Sequence, residues 1–395
     1  MSKKRVKARK GKSKKRVAKA KADSPPAQEG MGCFLFCVVI IIIALGLLTR
    51  NEGWAAERYY SLQEGASLVI LASADRVDPA NEGKLVHLTG LATTNEMPLD
   101  AEFDLSPDAL KLQRDVEMYQ WEESTLRVKT RKGGRLTKTT YSYEEVWSSE
   151  LINSRSFRHS FNHENPSLML YQEQLYVPEN ITVGRFTLSP SLVEKIDNFE
   201  TWPIDLSSLT LPAEIENKAK LINDQIYVGN DPQAPQIGDL RISFHIVKPT
   251  TLSLVAKQIG QTLNTYESQA DGAVELVEIG TQNAESMFDR TQTEVTQLTR
   301  SWRLVGFVLM WIGFQFLIPQ LTILSKVSPS QEHIGCLMIF FMAAGFSLLV
   351  ISIVWLFYGS RLMIGLAVIS LALIGGTFAL TKRLQVENPV QEGSS

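Results

Sequence analysis

The residue types that could do chemistry in this sequence are few and poorly grouped. His159 and His163 stand four apart, with Glu164 beside the second. On a helix that spacing puts both imidazoles on one face, the beginning of a zinc site. Asn162, Asn165 and Pro166 interrupt it, and these residue types favour turns. The stretch therefore reads as a turn and not as a metal centre. The sequence has no Gly-x-Ser-x-Gly elbow, phosphate-binding glycine loop, His-Glu-x-x-His pair or Cys-x-x-Cys pair. Its three cysteines, Cys33, Cys37 and Cys336, lie in apolar stretches and read as small packing residues. Cys33, near one end of its stretch, is also a palmitoylation candidate. The expectation is a protein with no catalytic residue, no metal and no cofactor, so other features must carry its function.

Those features are membrane spans. Residues 31–48, 304–324, 334–357 and 362–380 contain no Asp, Glu, Lys or Arg. They are 18, 21, 24 and 19 residues long, and about 20 helical residues cross a bilayer core of ~30 Å. The first run is longer than a usual signal-peptide core and lacks a small-residue cleavage pattern, so it reads as a retained anchor. Twelve Lys and Arg against two acids in residues 1–30 hold that tail in the cytoplasm. There the tail is expected to be disordered and to lie on anionic lipid headgroups; no nucleic acid is expected. Four crossings return residues 381–395 to the same side. The translocated segment 49–303 has 24 Lys and Arg against 37 Asp and Glu, a net charge of −13. Inside the spans the polar residues are few. Gln315 and Gln320 flank Pro319, which is expected to kink the second span while the glutamines bond freed carbonyls or a neighbouring helix. The pattern is that of a packed bundle and not of a pore.

The fold class expected is an α+β membrane protein, with four transmembrane helices and a β-rich extracytoplasmic or lumenal domain between helix 1 and helix 2. That domain, residues 49–271, has a hairpin as its clearest signal. Residues 115–132 and 135–149 are rich in Thr, Tyr, Val and Trp, with Gly133-Gly134 between them. Trp121 and Trp147, one on each arm, read as core anchors. Further strands are expected over 66–73, 84–91, 181–188, 225–229, 240–247, 252–260 and 261–267. Ser-Pro pairs open two expected short helices, 106–113 and 189–198. The strings Phe103-Asp104-Leu105-Ser106-Pro107 and Phe186-Thr187-Leu188-Ser189-Pro190 raise the possibility of two related subdomains. Residues 272–303 read as an amphipathic stalk helix, with Ala284, Phe288, Val295, Leu298 and Trp302 on one face. That face could fix the domain to the bundle, pair with a second copy, or pack along its own domain.

A series of short strings in order then carries a resemblance. Asn51-Glu52-Gly53 follows the first span, and Asn81-Glu82-Gly83-Lys84-Leu85-Val86-His87 comes later. Val116-Glu117-Met118-Tyr119-Gln120-Trp121-Glu122 is the most distinctive, followed by Asn165-Pro166-Ser167, Gly184-Arg185-Phe186 and Gly238-Asp239-Leu240-Arg241. On these the chain resembles the transmembrane protein 43 family, from the first span to the last. Lys84 stands where animal members have arginine. The tail before Met31 and residues 262–300 depart from the family pattern. The resemblance implies the same four spans and no catalytic residue. For an animal member it implies the endoplasmic reticulum and inner nuclear membrane, association with lamins and emerin, self-association, and a role in nuclear envelope organisation. For a bacterial member the nearest equivalent is an organiser of the plasma membrane. The function expected is that of a non-enzymatic scaffold, with the lipid bilayer, further copies of itself and other membrane proteins as partners. The alternative is a membrane sensor whose outer domain binds a ligand and signals through the stalk helix.

Overall fold

The computed structural model describes residues 27–129, 136–205, 209–323 and 332–387. The basic tail before residue 27, Gly133-Gly134, most of the loop after the second expected span and residues 388–395 lie outside them. The chain divides into two compact units, Met1–Trp54 with Leu298–Ser395, and Ala55–Gln297.

The helices are α1 (Ala27–Leu68), α2 (Pro190–Glu194), α3 (Ala284–Ile323), α4 (Glu332–Phe357) and α5 (Met363–Glu387). Among the described residues three segments are long and apolar enough to cross a membrane: Phe34–Leu68, Met338–Phe357 and Met363–Leu380. Phe36, Ile42 and Ile43 of α1 and Ile364, Val368 and Phe378 of α5 are exposed apolar side chains, as suits helices solvated by lipid. The chain is an integral membrane protein with apolar spans and a β-rich unit. The helical unit packs Ala44 and Leu48 of α1 against Met310 and Phe314 of α3 and Ile339 and Ala343 of α4. Two glycines of α3 set that approach. A Cβ on Gly306 would stand 2.5 Å from Leu48, and one on Gly313 would stand 2.5 Å from Ile41.

Two expected boundaries need correction. Helix α1 does not stop at 48 but continues to Leu68, so 49–68 is helix, its residues from Ala55 on belong to the same compact unit as the strands, and 66–68 is not strand. The boundary at 48 marks where charge begins. The residues beyond it, among them Ala55, Ala56, Glu57, Arg58, Leu62 and Gln63, are helix formers. The stalk helix, in turn, does not begin at 272. Val274, Leu276, Val277 and Ile279 are largely β-branched, and the second strand they form pairs with a long neighbour. Helix α3 starts only at Ala284, after Gly280, which has a φ of 84°.

The strands of the β unit begin with β1 (Ile70–Leu71), β2 (Leu85–Thr94), β3 (Lys111–Lys129), β4 (Leu136–Ser148) and β5 (Gln174–Tyr176). Next come β6 (Ile181–Val183), β7 (Phe186–Leu188), β8 (Glu200–Thr201), β9 (Ala219–Ile222), β10 (Gln225–Val228) and β11 (Leu240–Val247). The last are β12 (Thr250–Ile259), β13 (Thr262–Asn264), β14 (Tyr266–Glu267), β15 (Ala273–Val274) and β16 (Leu276–Ile279). The first sheet runs β1-β2-β6-β7-β13-β12-β16, and β12 also pairs with β2. Strands β2, β6, β7, β13 and β12 thus close a ring around Leu88, Val183, Phe186, Leu254 and Leu263. The second sheet, β4-β3-β11-β10-β9, is open. Its own core holds Phe103, Leu112, Val116, Ile226, Ile242 and Phe244.

The expected helix over 106–113 is absent. Leu110, Leu112, Arg114, Val116 and Met118 are buried at every second position, and β3 pairs with β11 from Lys111 onward. Period two wins there. At 189–198 a five-residue helix, α2, does follow the Ser-Pro pair. The two similar pentapeptides share a buried phenylalanine but differ in backbone. Phe186–Leu188 is a strand, whereas Asp104 has a φ of 48° and Leu105 bridges to Asp100.

Candidate functional site

The helical unit holds one concentrated polar site. Glu52 is fully buried on α1, and burying a carboxylate costs several kcal/mol unless it is paired and fully hydrogen-bonded. Here it is both. Arg303 of α3 donates from Nε to Oε1 at 2.7 Å and from Nη2 to Oε2 at 2.6 Å. Trp355 of α4 donates from Nε1 to Oε2 at 2.8 Å. The neighbouring Asn51 donates to Oε1 at 3.0 Å and reaches the Thr299 carbonyl at 3.4 Å. Four donors saturate the carboxylate, and the two-pronged guanidinium contact fixes direction as well as distance. Chemically this arrangement holds three helices in register; its carboxylate has no lone pair left over for a substrate.

In the β unit the side chains around Trp121 and Trp147 likewise make structural contacts. Trp121 and Trp147 do not enter the core; both are half-buried. They stand where the hairpin outruns the sheet beneath it. The segment after β4 folds back over that region through side-chain amides. Buried Gln120 donates to the Glu150 carbonyl at 3.0 Å and accepts from the Ile152 amide at 2.8 Å. Asn165 accepts from the Trp121 amide at 2.7 Å and donates to the Trp121 carbonyl at 2.9 Å, taking the place of a strand. His163 then stacks on Tyr143, with centroids 4.0 Å apart, and meets Trp121 edge-on at 4.8 Å. The Tyr143 hydroxyl donates to Glu123 at 2.6 Å, and desolvation followed by that bond pushes its pKa up. Trp147 lies 5.1 Å from Tyr119, with the Arg241 guanidinium 4.0 Å from its ring centre. Among the described residues no group of three His, Cys, Asp or Glu is arranged to hold a metal.

The stalk stripe divides. Phe288 and Val295 are buried in a small core with Met287, Leu62, Leu85 and Val274. Leu298 and Trp302 are 49% and 44% exposed. The buried line along α3 passes instead through Thr299, Gly306, Met310 and Phe314. Hydropathy hid it because Thr299 and Gly306 are not apolar. Gln315 is half-buried. The side chains of Pro319 and Gln320 lie outside the described residues, while the backbone stays helical through both to Ile323.

Sequence reasoning missed Glu52, Arg303 and Trp355 as a set. The available signal was a lone acid and a lone arginine, each next to an apolar run. It also missed the buried pair Asp100–Arg114, in which Nη1 lies 2.9 and 2.7 Å from the two carboxylate oxygens.

Comparison with known proteins agrees with this architecture. The family model described as transmembrane protein 43 matches residues 118–360. The chain is 31% identical to transmembrane protein 43 of Homo sapiens over 392 residues, covering 93% of this chain and 96% of the relative. It is 30% identical to that of Rattus norvegicus over 397 residues, covering 94% and 98%. A Drosophila melanogaster homolog is 28% identical over 288 residues, covering 71% and 74%. No solved structure matches. The family model takes in more than half of the sequence and the mammalian relatives align almost end to end, so the chain belongs to the transmembrane protein 43 family.

Proposed function

We propose that this chain is a non-enzymatic scaffold that organises a membrane or envelope through self-association and contacts with other membrane proteins. In this reading α1, α3, α4 and α5 all cross the bilayer, with the basic tail on the cytoplasmic side and the β unit opposite. The observation that carries it is the Glu52 site. Glu52 follows the first apolar run, Arg303 precedes the second and Trp355 ends the third, and all three meet at one point. That meeting supports α3 starting its crossing at the level where α1 and α4 finish theirs. The imidazole and carboxylates described above are tied into stacks and ion pairs, which supports a role exercised through surfaces. The membrane is the endoplasmic reticulum and inner nuclear membrane in a eukaryotic cell, and the plasma membrane in a bacterium.

Two measurements test this. An impermeant thiol reagent added from the cytoplasmic side should label Ser394→Cys and leave Ser156→Cys unlabelled; labelling of both ends the four-span reading. The detergent-extracted chain should run as an oligomer by light scattering, and a monomer that retains no membrane partner would overturn the scaffold.

A second reading is a regulator whose β unit takes a ligand. An open groove of about 700 Å³ along β1 and β2, bordered by Leu71, Thr89, Leu91 and Gly184, favours it. Native mass spectrometry of the purified chain decides between them, since a stoichiometric small molecule retained there supports the regulator.

A further inference from the structure

Strand β4 pairs with β3 on one side, and among the described residues no strand pairs with its other side. Thirteen residues of unpaired edge is long, and such an edge is a template for another strand. The direction of its free groups can be derived. Trp121 turns both backbone groups to Asn165, and Tyr119 turns both to Gly238 and Asp239. Their partners across the hairpin, Glu145 and Trp147, therefore point amide and carbonyl outward. By alternation so do Tyr143, Tyr141 and Thr139.

Within the hairpin β4 also carries an unresolved conflict. Glu144 stands directly opposite Glu122, both exposed, and no ion pair among the described residues engages either. Like charges directly opposite on a sheet are destabilising.

We infer that the occupant of this edge is β4 of a second copy, paired antiparallel about a twofold axis at Tyr141. Strands whose outward residues face one another need registers of even sum, and the register centred on Tyr141 is the one in which β4 is complementary to itself. It sets Lys138 opposite Glu144 twice, in the closer, non-hydrogen-bonded positions. Thr139 then faces Tyr143 and Thr140 faces Ser142. Each Glu144, which faces an acid inside its own chain, gains a lysine from the other. The inference rests on the self-association proposed above and names its surface.

Oxidative crosslinking of the full, detergent-extracted chain tests it, in a background with Cys33, Cys37 and Cys336 changed to Ala. Tyr141→Cys should form a disulfide dimer, because residues opposite at that position stand about 5.5 Å apart. Glu145→Cys should not, since its twin would be eight residues along the strand pair, roughly 27 Å away. Lys138→Glu and Glu144→Lys should each lower self-affinity roughly ten-fold, and the two together should restore it. If the chain is oligomeric but Tyr141→Cys does not crosslink and the charge swaps have no effect, this surface is wrong while self-association stands. A chain that is monomeric throughout sinks both.

Discussion

The first sheet of the β unit closes on itself through the β2–β12 pairing, whereas the second ends in β4 with one side unpaired. Both surround cores of similar size, each with a fully buried phenylalanine, Phe186 in the ring and Phe103 in the open sheet. They differ in what fastens the core. The ring is held by strand pairing all the way round. The open sheet uses a buried ion pair at its heart and an aromatic cover along its free end. Closure by backbone pairing leaves less for side-chain staples to do, and an open edge leaves them with more of the work.

The largest effect is expected from the staple. Arg114, 4% exposed, holds fully buried Asp100 with Nη1, reaches Glu102 with Nη2 at 2.5 Å, and lies 5.1 Å from the Phe103 ring centre. Arg114→Ala leaves a buried carboxylate without its cation, a loss of ~3–5 kcal/mol. Hydrogen exchange should show amides of β3, β10 and β11 losing protection while those of β2 and β12 keep theirs. Equal loss in both sheets breaks the comparison, because the two would then unfold as one.

A smaller effect is expected at the cover. Trp147 is half-buried on the edge strand, under Arg241. Trp147→Ala should cost ~1–2 kcal/mol in denaturant unfolding, against ~3–5 for a fully buried aromatic ring. A cost in the upper range places the edge in the core and blurs the distinction.

The smallest concerns Glu275, a buried acid between β15 and β16. Burial alone would push the Glu275 carboxyl up, but hydrogen bonds from Lys195, Thr265 and Ser191 hold it below its ordinary 4.5. A carboxyl with a depressed folded pKa contributes stability above its unfolded value, and that contribution is lost as pH falls through the folded value. Wild type should therefore lose stability between about pH 5 and 3 more steeply than Glu275→Gln. Identical acid profiles would mean these bonds make no net contribution to stability.

Much of this was legible in the sequence, for reasons that differ by element. Apolar runs report themselves, since length and absence of charge suffice, and three of them are apolar helices in the structure. The hairpin was legible because Thr, Tyr, Val and Trp alternate on both sides of a Gly-Gly pair. Strands β10, β11 and β12 fell close to their expected places for the same reason. The stalk's start at 272 was misjudged because Leu276 and Val277 fit a helical face until β12 is known to lie beside them. Trp121 and Trp147 were misplaced because hydropathy gives an aromatic residue no address. They cover the hairpin's surface because the hairpin outruns its core. Glu52 was the least legible of all. Its partners lie 251 and 303 positions away, and pairings at that distance leave no mark on local composition.

That separation also has a meaning in time. A ribosome adds about 5–20 residues per second, so the 251 residues between Glu52 and Arg303 take roughly 13–50 s to make. Throughout that interval α1 exists and the guanidinium that neutralises its acid does not. The Trp355 indole comes later still. The newborn carboxylate must stay solvated by water or headgroups at the rim of the translocation machinery until both arrive. Assembly of the helical unit therefore waits for the whole β unit to be synthesised, and a chain truncated anywhere before Arg303 leaves the ribosome with its first helix unlocked.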